Sequence, residues 1–150
     1  MAQQELVLVA EDSAEDFFFL ERALHRSNVP LRLHRCANGD EAKQYLAGMG
    51  EYADRARFPL PALLLLDLNM PHVTGFEVLS WIKTQPFLKR IPVITFSSSS
   101  LKKDVDKSYD LGTSSHVVKP VNAQDLEDIV RAIHKWWLSI SARPGMKETD

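Results

Sequence analysis

The chain alternates short apolar runs with amphipathic stretches. The first run, Leu6-Val7-Leu8-Val9-Ala10, is apolar on both faces, as a strand buried within a parallel sheet requires. It stops at Glu11-Asp12. Ser13 follows as a helix N-cap, with Asp16 three residues on as a capping-box acid. Phe17, Leu20 and Leu24 recur at helical spacing, and Asn28 and Pro30 close that helix. A second strand is predicted over Leu31 to Cys36, alternating Leu31 and Leu33 with Arg32 and His34, as at a half-exposed edge. Gly39-Asp40 opens a helix through Tyr45 and Leu46, closed near Gly48 and Gly50. The third strand, Ala62 to Leu66, is the most apolar and ends in Asp67. A helix follows from Gly75 through Phe76, Val78, Leu79 and Ile82, ended by Pro86. The fourth strand, Ile91 to Phe96, runs into Ser97 to Ser100. A helix then spans Leu101 to Leu111. The fifth strand, Ser115 to Val118, ends at Lys119-Pro120. The last helix, Ala123 to Leu138, carries Leu126, Ile129, Val130, Ile133 and Trp137 on one face.

Five strand-then-helix units at about 30-residue spacing predict a doubly wound parallel sheet with helices on both faces. Gly50 to Pro61 reads as an irregular insertion. Right-handed crossovers bring every strand's C-terminal end to one edge, where open α/β sheets place ligands. Collected there are Glu11, Asp12, Asp67, Ser97 and Lys119. Each alone has an ordinary explanation: loop acids at a helix start, a plain strand end, a solvated serine loop, a turn. Together they do not. Crowded carboxylates repel and raise one another's pKa, so a divalent cation among them is favourable. The donors are all oxygens, which suits Mg²⁺ or Mn²⁺ and not Zn²⁺. Lys119 adds a point positive charge and Ser97 a hydrogen-bond donor. A metal, a carboxylate nucleophile, a lysine and a hydroxyl make a phosphoryl-transfer set.

Composition narrows the classes. The 150 residues suit one domain, 45% hydrophobic and 25% charged. A formal net charge of −2 argues against a polybasic nucleic-acid or membrane-surface binder. The single cysteine, Cys36, excludes an internal disulfide and points to a reducing, cytoplasmic setting. The longest apolar run, Leu60 to Leu66, is far short of the ~20 residues of a membrane helix, and Met1 to Glu5 show no secretory pattern.

The ordered segments Val7-Leu8-Val9-Ala10-Glu11-Asp12, Leu65-Leu66-Asp67-Leu68-Asn69-Met70-Pro71, Gly75, Ile91-Pro92-Val93-Ile94 and Val117-Val118-Lys119-Pro120 resemble the receiver domain of two-component response regulators. The likeness covers about residues 5 to 138. It implies a flavodoxin-like sheet of order 2-1-3-4-5 with five helices. It also implies that Asp67 is the phosphoacceptor and that Glu11 and Asp12 help hold Mg²⁺. Asn69 would ligate the metal through its backbone carbonyl. Ser97 would be the switch hydroxyl, followed by the small Ser98, and Lys119 would contact the phosphoryl group. The Lys119-Pro120 peptide is expected to be cis. Departures are Glu11, where Asp is also common, Ser97 in place of threonine, and His116, where Tyr or Phe is frequent. Whether His116 acts in the switch stays open.

The stretch Gly50 to Pro61, the Lys83 to Ile91 segment and the tryptophan-bearing last helix are similar to stand-alone regulators served by phytochrome-type and other histidine kinases. The resemblance implies a phosphoacceptor switch rather than an enzyme with a separate substrate. The domain is expected to span residues 1–138, with 139–150 a flexible tail and the output a protein–protein contact. Phe18, off the core face of the first helix, is read as a kinase-docking residue, and Trp136 as a self-association residue of a homodimer. The alternatives are a flavin-binding flavodoxin and a degenerate receiver acting as a constitutive interaction module. The acidic loop Glu11 to Asp16 would repel a flavin phosphate, and the intact Asp12, Asp67, Ser97 and Lys119 argue against degeneracy.

Overall fold

The structure, a computed structural model, describes residues 4–146. The N-terminal part of the Met1 to Glu5 reading and the last four positions of the expected tail lie outside the described residues. Five strands, β1 (Glu5–Ala10), β2 (Leu31–Cys36), β3 (Leu63–Leu66), β4 (Val93–Ser97) and β5 (Ser115–Val118), form one parallel sheet of order β2-β1-β3-β4-β5. The helices are α1 (Ala14–Ser27), α2 (Gly39–Ala47), α3 (Gly75–Lys83), α4 (Lys102–Asp110) and α5 (Ala123–Lys135). The flavodoxin-like order and the five helices agree with the expectation.

The strand period of two sorts the core into two layers. Leu6, Leu8 and Ala10 with Leu64, Leu66 and Val93 pack against α2 and α3 through Ala42, Tyr45, Leu46, Val78, Leu79 and Ile82. Val7 and Val9 with Leu63, Leu65 and Ile94 pack against α1 and α5 through Leu20, Ala23, Val130 and Ile133. Each fully buried leucine is worth roughly 1.5–3 kcal/mol, so the sheet is pinned in register from both faces.

Four of the five helices begin with a side-chain cap. Ser13, Asn38, Thr74 and Asn122 accept the N–H of Asp16, Glu41, Glu77 and Asp125. Gly75 opens α3 where a Cβ would overlap the carbonyl oxygen of Asp67, so only glycine fits beneath that residue.

Several details depart from the sequence-based expectation. β4 extends through Ser97, which ends the strand instead of following it. The last helix stops at Lys135 and continues as a wider turn over Trp136–Ile140, closed by the Ser141 N–H on the Trp136 carbonyl at 2.8 Å. That turn buries Leu138 and leaves Trp136 and Ile140 exposed. The Gly50 to Pro61 insertion contains a short 3-10 turn, Gly50–Ala53, and buries Tyr52. Its Arg55 donates to the carbonyls of Tyr45 and Leu46, both at 2.8 Å, and so caps the end of α2. The Lys119-Pro120 peptide is trans, against the cis expectation. Just before that bond, the Lys119 N–H continues the ladder to the Ser97 carbonyl at 2.9 Å. Beyond Ser141, Arg143 pairs with Glu5 and Arg90 donates to the Gly145 carbonyl at 2.9 Å.

Candidate functional site

The backbone ladder runs one residue past each central strand. Glu11 N–H donates to the Cys36 carbonyl and Asp67 N–H to the Ala10 carbonyl, each at 3.0 Å. These bonds fix two acids side by side at the C-terminal edge. Both are buried, as is Ser97, while Asp12 is exposed. Arg35, on the edge strand, holds the β1–α1 loop by donating to the carbonyls of Glu11 and Asp12, both at 2.9 Å.

Lys119 reaches in from the end of β5. Its ammonium lies 2.8 Å from Glu11 Oε1, 2.9 Å from Asp16 Oδ2 and 3.2 Å from Asp67 Oδ2. Strand ends 1, 3 and 5 therefore meet at one atom. Asp16 is the residue the sequence reading misplaced. Its backbone N–H bonds the Ser13 cap, but its carboxylate turns to Lys119 instead of closing a capping box. The available signal was an acid one helical turn from the strand edge; nothing local distinguishes it from a cap.

Ser97 Oγ accepts from Asn69 Nδ2 at 3.1 Å and from the Ser99 N–H at 3.2 Å. The Asn69 N–H in turn donates to Asp67 Oδ1 at 3.1 Å. Ser97 is thus linked to Asp67 through Asn69. His116 Nε2 donates to the Ser99 carbonyl at 3.3 Å, and its Nδ1 lies 2.8 Å from Thr95 Oγ1. The half-buried ring is tied to the loop that carries the serines.

Electrostatics follow from the crowding. Burial, followed by the hydrogen bond shared with Asp67, pushes Glu11 up to about 8. For Lys119, burial acts to lower the pKa, but the bonds to Glu11 and Asp16 and the nearby charge of Asp67 raise it on balance. The bond to Lys119 holds Asp16 below the usual carboxylate range.

Carboxylate oxygens of Glu11, Asp12 and Asp67 come within 4.8 Å of one another. This all-oxygen set, two acids buried and one facing water, fits a hard divalent cation. A second group, His34 and Cys36 of β2 with Glu41 of α2, brings its ligand-type atoms equally close.

The family model of the response regulator receiver domain matches residues 7–131. The chain belongs to this family. Response regulator Rcp1 of Synechocystis sp. is 36% identical over 140 residues, spanning 93% of each protein. The crystal structure of the phosphorylated cyanobacterial phytochrome response regulator RcpA matches with a TM-score of 0.85 and 39% identity, over 95% of this chain and 99% of that one. The Mn²⁺-bound form of Rcp1 matches with a TM-score of 0.81 and 36% identity, over 94% and 99%.

Proposed function

We propose that this receiver domain accepts a phosphoryl group on Asp67 from the phosphohistidine of a histidine kinase and signals through protein contact. The observation that carries the reading is the Lys119 ammonium bridging two buried carboxylates, Glu11 and Asp67, from a third strand end. A lone lysine opposite crowded acids is the arrangement that neutralises phosphoryl charge.

Glu11, Asp12, Asp67 and the backbone carbonyl of Asn69 would hold Mg²⁺, or Mn²⁺ as in the solved form of Rcp1. The bound cation would neutralise charge on the transferring oxygens. The rest is done by the chain. The Asp67 carboxylate attacks phosphorus, the P–N bond to the kinase histidine breaks, and the imidazole keeps the electron pair. Lys119 then donates to a phosphoryl oxygen. Ser97 gives up Asn69 and turns its hydroxyl to another. The Ser99 loop follows because its N–H is bonded to the same oxygen, and His116 feels the movement through the Ser99 carbonyl.

The likeness to RcpA supports a phytochrome-type kinase as the donor. Phe18, 58% exposed at the start of α1, is the proposed kinase contact, and Trp136, 57% exposed, the proposed homodimer contact. Among the described residues no helix is long and apolar enough to cross a membrane. A net charge of −2 and a single cysteine support a cytoplasmic place without a nucleic-acid partner, for a domain proposed over residues 1–138 and a tail over 139–150.

The test is labelling with acetyl phosphate and Mg²⁺. The native chain gains one phosphoryl mass, and Asp67→Asn stays unmodified while still folding. A native chain that takes up nothing would make it a constitutive interaction module instead.

A further inference from the structure

The Lys119 ammonium has three N–H donors, and Glu11, Asp16 and Asp67 occupy all three. The three acids are not equivalent. The side chains of Glu11 and Asp67 are 5% and 8% exposed, that of Asp16 44%. Phosphorylation turns the Asp67 carboxylate into an acyl phosphate and brings three phosphoryl oxygens into the same space, more than the single N–H that faced Asp67 can serve. A second carboxylate has to yield for Lys119 to give more. Detaching Glu11 moves a buried acceptor, whereas Asp16 returns to water.

We propose that Asp16 is a displaceable resting partner of Lys119, which holds the ammonium in the unmodified protein, releases it to the phosphoryl group, and so sets the threshold for modification. The inference rests on the phosphoacceptor reading of Asp67. Asp16 acts only through Lys119 and is a positioning residue. Its cap bond uses the backbone N–H, so replacing its carboxylate by an amide leaves the start of α1 intact.

The experiment titrates beryllofluoride, with Mg²⁺ present, into the native chain, Asp16→Asn and Glu15→Gln, followed by calorimetry. Glu15 lies in the same turn, is exposed, and is not among the acids paired with Lys119, so it reports the bare change of charge. Asp16→Asn is expected to bind beryllofluoride about two- to fivefold more tightly, the scale of a part-exposed ion pair. Glu15→Gln is expected to match the native chain, and neither variant should bind Mg²⁺ alone more tightly. In the metal-free protein, Asp16→Asn shifts the NMR resonance of the Lys119 ammonium and Glu15→Gln does not. Equal or weaker beryllofluoride binding by Asp16→Asn, or equal tightening in both variants, overturns the proposal. A native chain that binds no beryllofluoride overturns the reading of Asp67 and takes this inference with it. The ammonium resonance separates that failure from a missing Asp16–Lys119 pair.

Discussion

Two triads of ligand-type side chains sit one strand apart. Glu11, Asp12 and Asp67 gather at the sheet edge, and His34 and Cys36 of β2 meet Glu41 of α2, each set within 4.8 Å. The Glu11 N–H even bonds the Cys36 carbonyl. Proximity does not separate them; the fate of their charges and polar atoms does. Glu41 Oε2 accepts the Ala37 N–H at 2.9 Å and its Oε1 accepts from the Tyr52 hydroxyl at 3.3 Å, both local structural bonds. The His34 ring packs 5.0 Å from Tyr45 and 6.0 Å from Phe58, and burial lowers its pKa. Cys36 is fully buried, and burial pushes its thiol up. The polar atoms of that triad are taken up by local bonds, ring packing and, for Cys36, burial in the core. At the sheet edge, the carboxylates of Glu11, Asp16 and Asp67 all depend on one ammonium, and crowding raises the pKa of Glu11. A functional site shows here as charge the fold leaves incompletely balanced.

Removing that ammonium breaks the comparison most sharply. Lys119→Ala strands Glu11 and Asp67 together in a buried place. The metal-free variant is expected to lose about 3–5 kcal/mol in urea unfolding at pH 8, the usual penalty for removing one partner of a buried pair. Part of the loss should return with millimolar Mg²⁺, which replaces the missing positive charge. A loss below about 1 kcal/mol, or no recovery with Mg²⁺, would show that the edge carboxylates do not depend on Lys119.

The edge residues were legible in the sequence as a set. Asp67 after Leu63 to Leu66, Glu11-Asp12 after Val9-Ala10, and Lys119 each read alone as a strand end, loop acids or a turn, and only their recurrence at strand ends brought to one edge marked a site. The parallel sheet with helices on both faces followed from period and repeat length, whereas the strand order followed only from the family likeness. Asp16 and Arg35 were not legible in their roles. Asp16 meets a partner 103 positions away, and Arg35 meets Glu11 24 positions away, so no local period marks either. Arg35 occupies a polar position of an edge strand, which patterning assigns to solvent. The Asn69–Ser97 bond was missed too, since family likeness implied only a role for the Asn69 backbone.

The next effect is a pH dependence of the metal-free protein. Glu11 stands at about 8 in the folded chain against an ordinary value of 4.5. Between those values the folded state binds more protons than the unfolded one. Stability from this group is complete below about pH 4.5 and is lost as pH rises through 8. The loss is expected to be on the order of 2–3 kcal/mol, allowing for sharing with Asp67 and Lys119. His34, with a lowered pKa, works the other way at the acid end of this window. The comparison with Glu11→Gln isolates the edge acid. Chelator-treated native protein should weaken from pH 5 to 8.5, Glu11→Gln should stay flatter, and protection by Mg²⁺ should grow with pH. Equal slopes in the two proteins would remove Glu11 from the account.

The smallest effect tests the other triad. Cys36→Ala removes only a buried sulfur, and should cost about 1 kcal/mol through the small cavity left beside Tyr45 and Leu46. Because Cys36 is core and not ligand, the rise in unfolding midpoint on adding Mg²⁺ should be the same in the variant as in the native chain. Zn²⁺ or Cd²⁺ should raise the midpoint no more in the native chain than in Cys36→Ala. The buried thiol holds its proton, and Glu41 already has two donors. A Cys36-dependent gain in midpoint with Cd²⁺ would mean that the second triad can open to a soft metal. The contrast between the two clusters would then be one of metal preference, oxygen against sulfur and nitrogen, and not one of site against core.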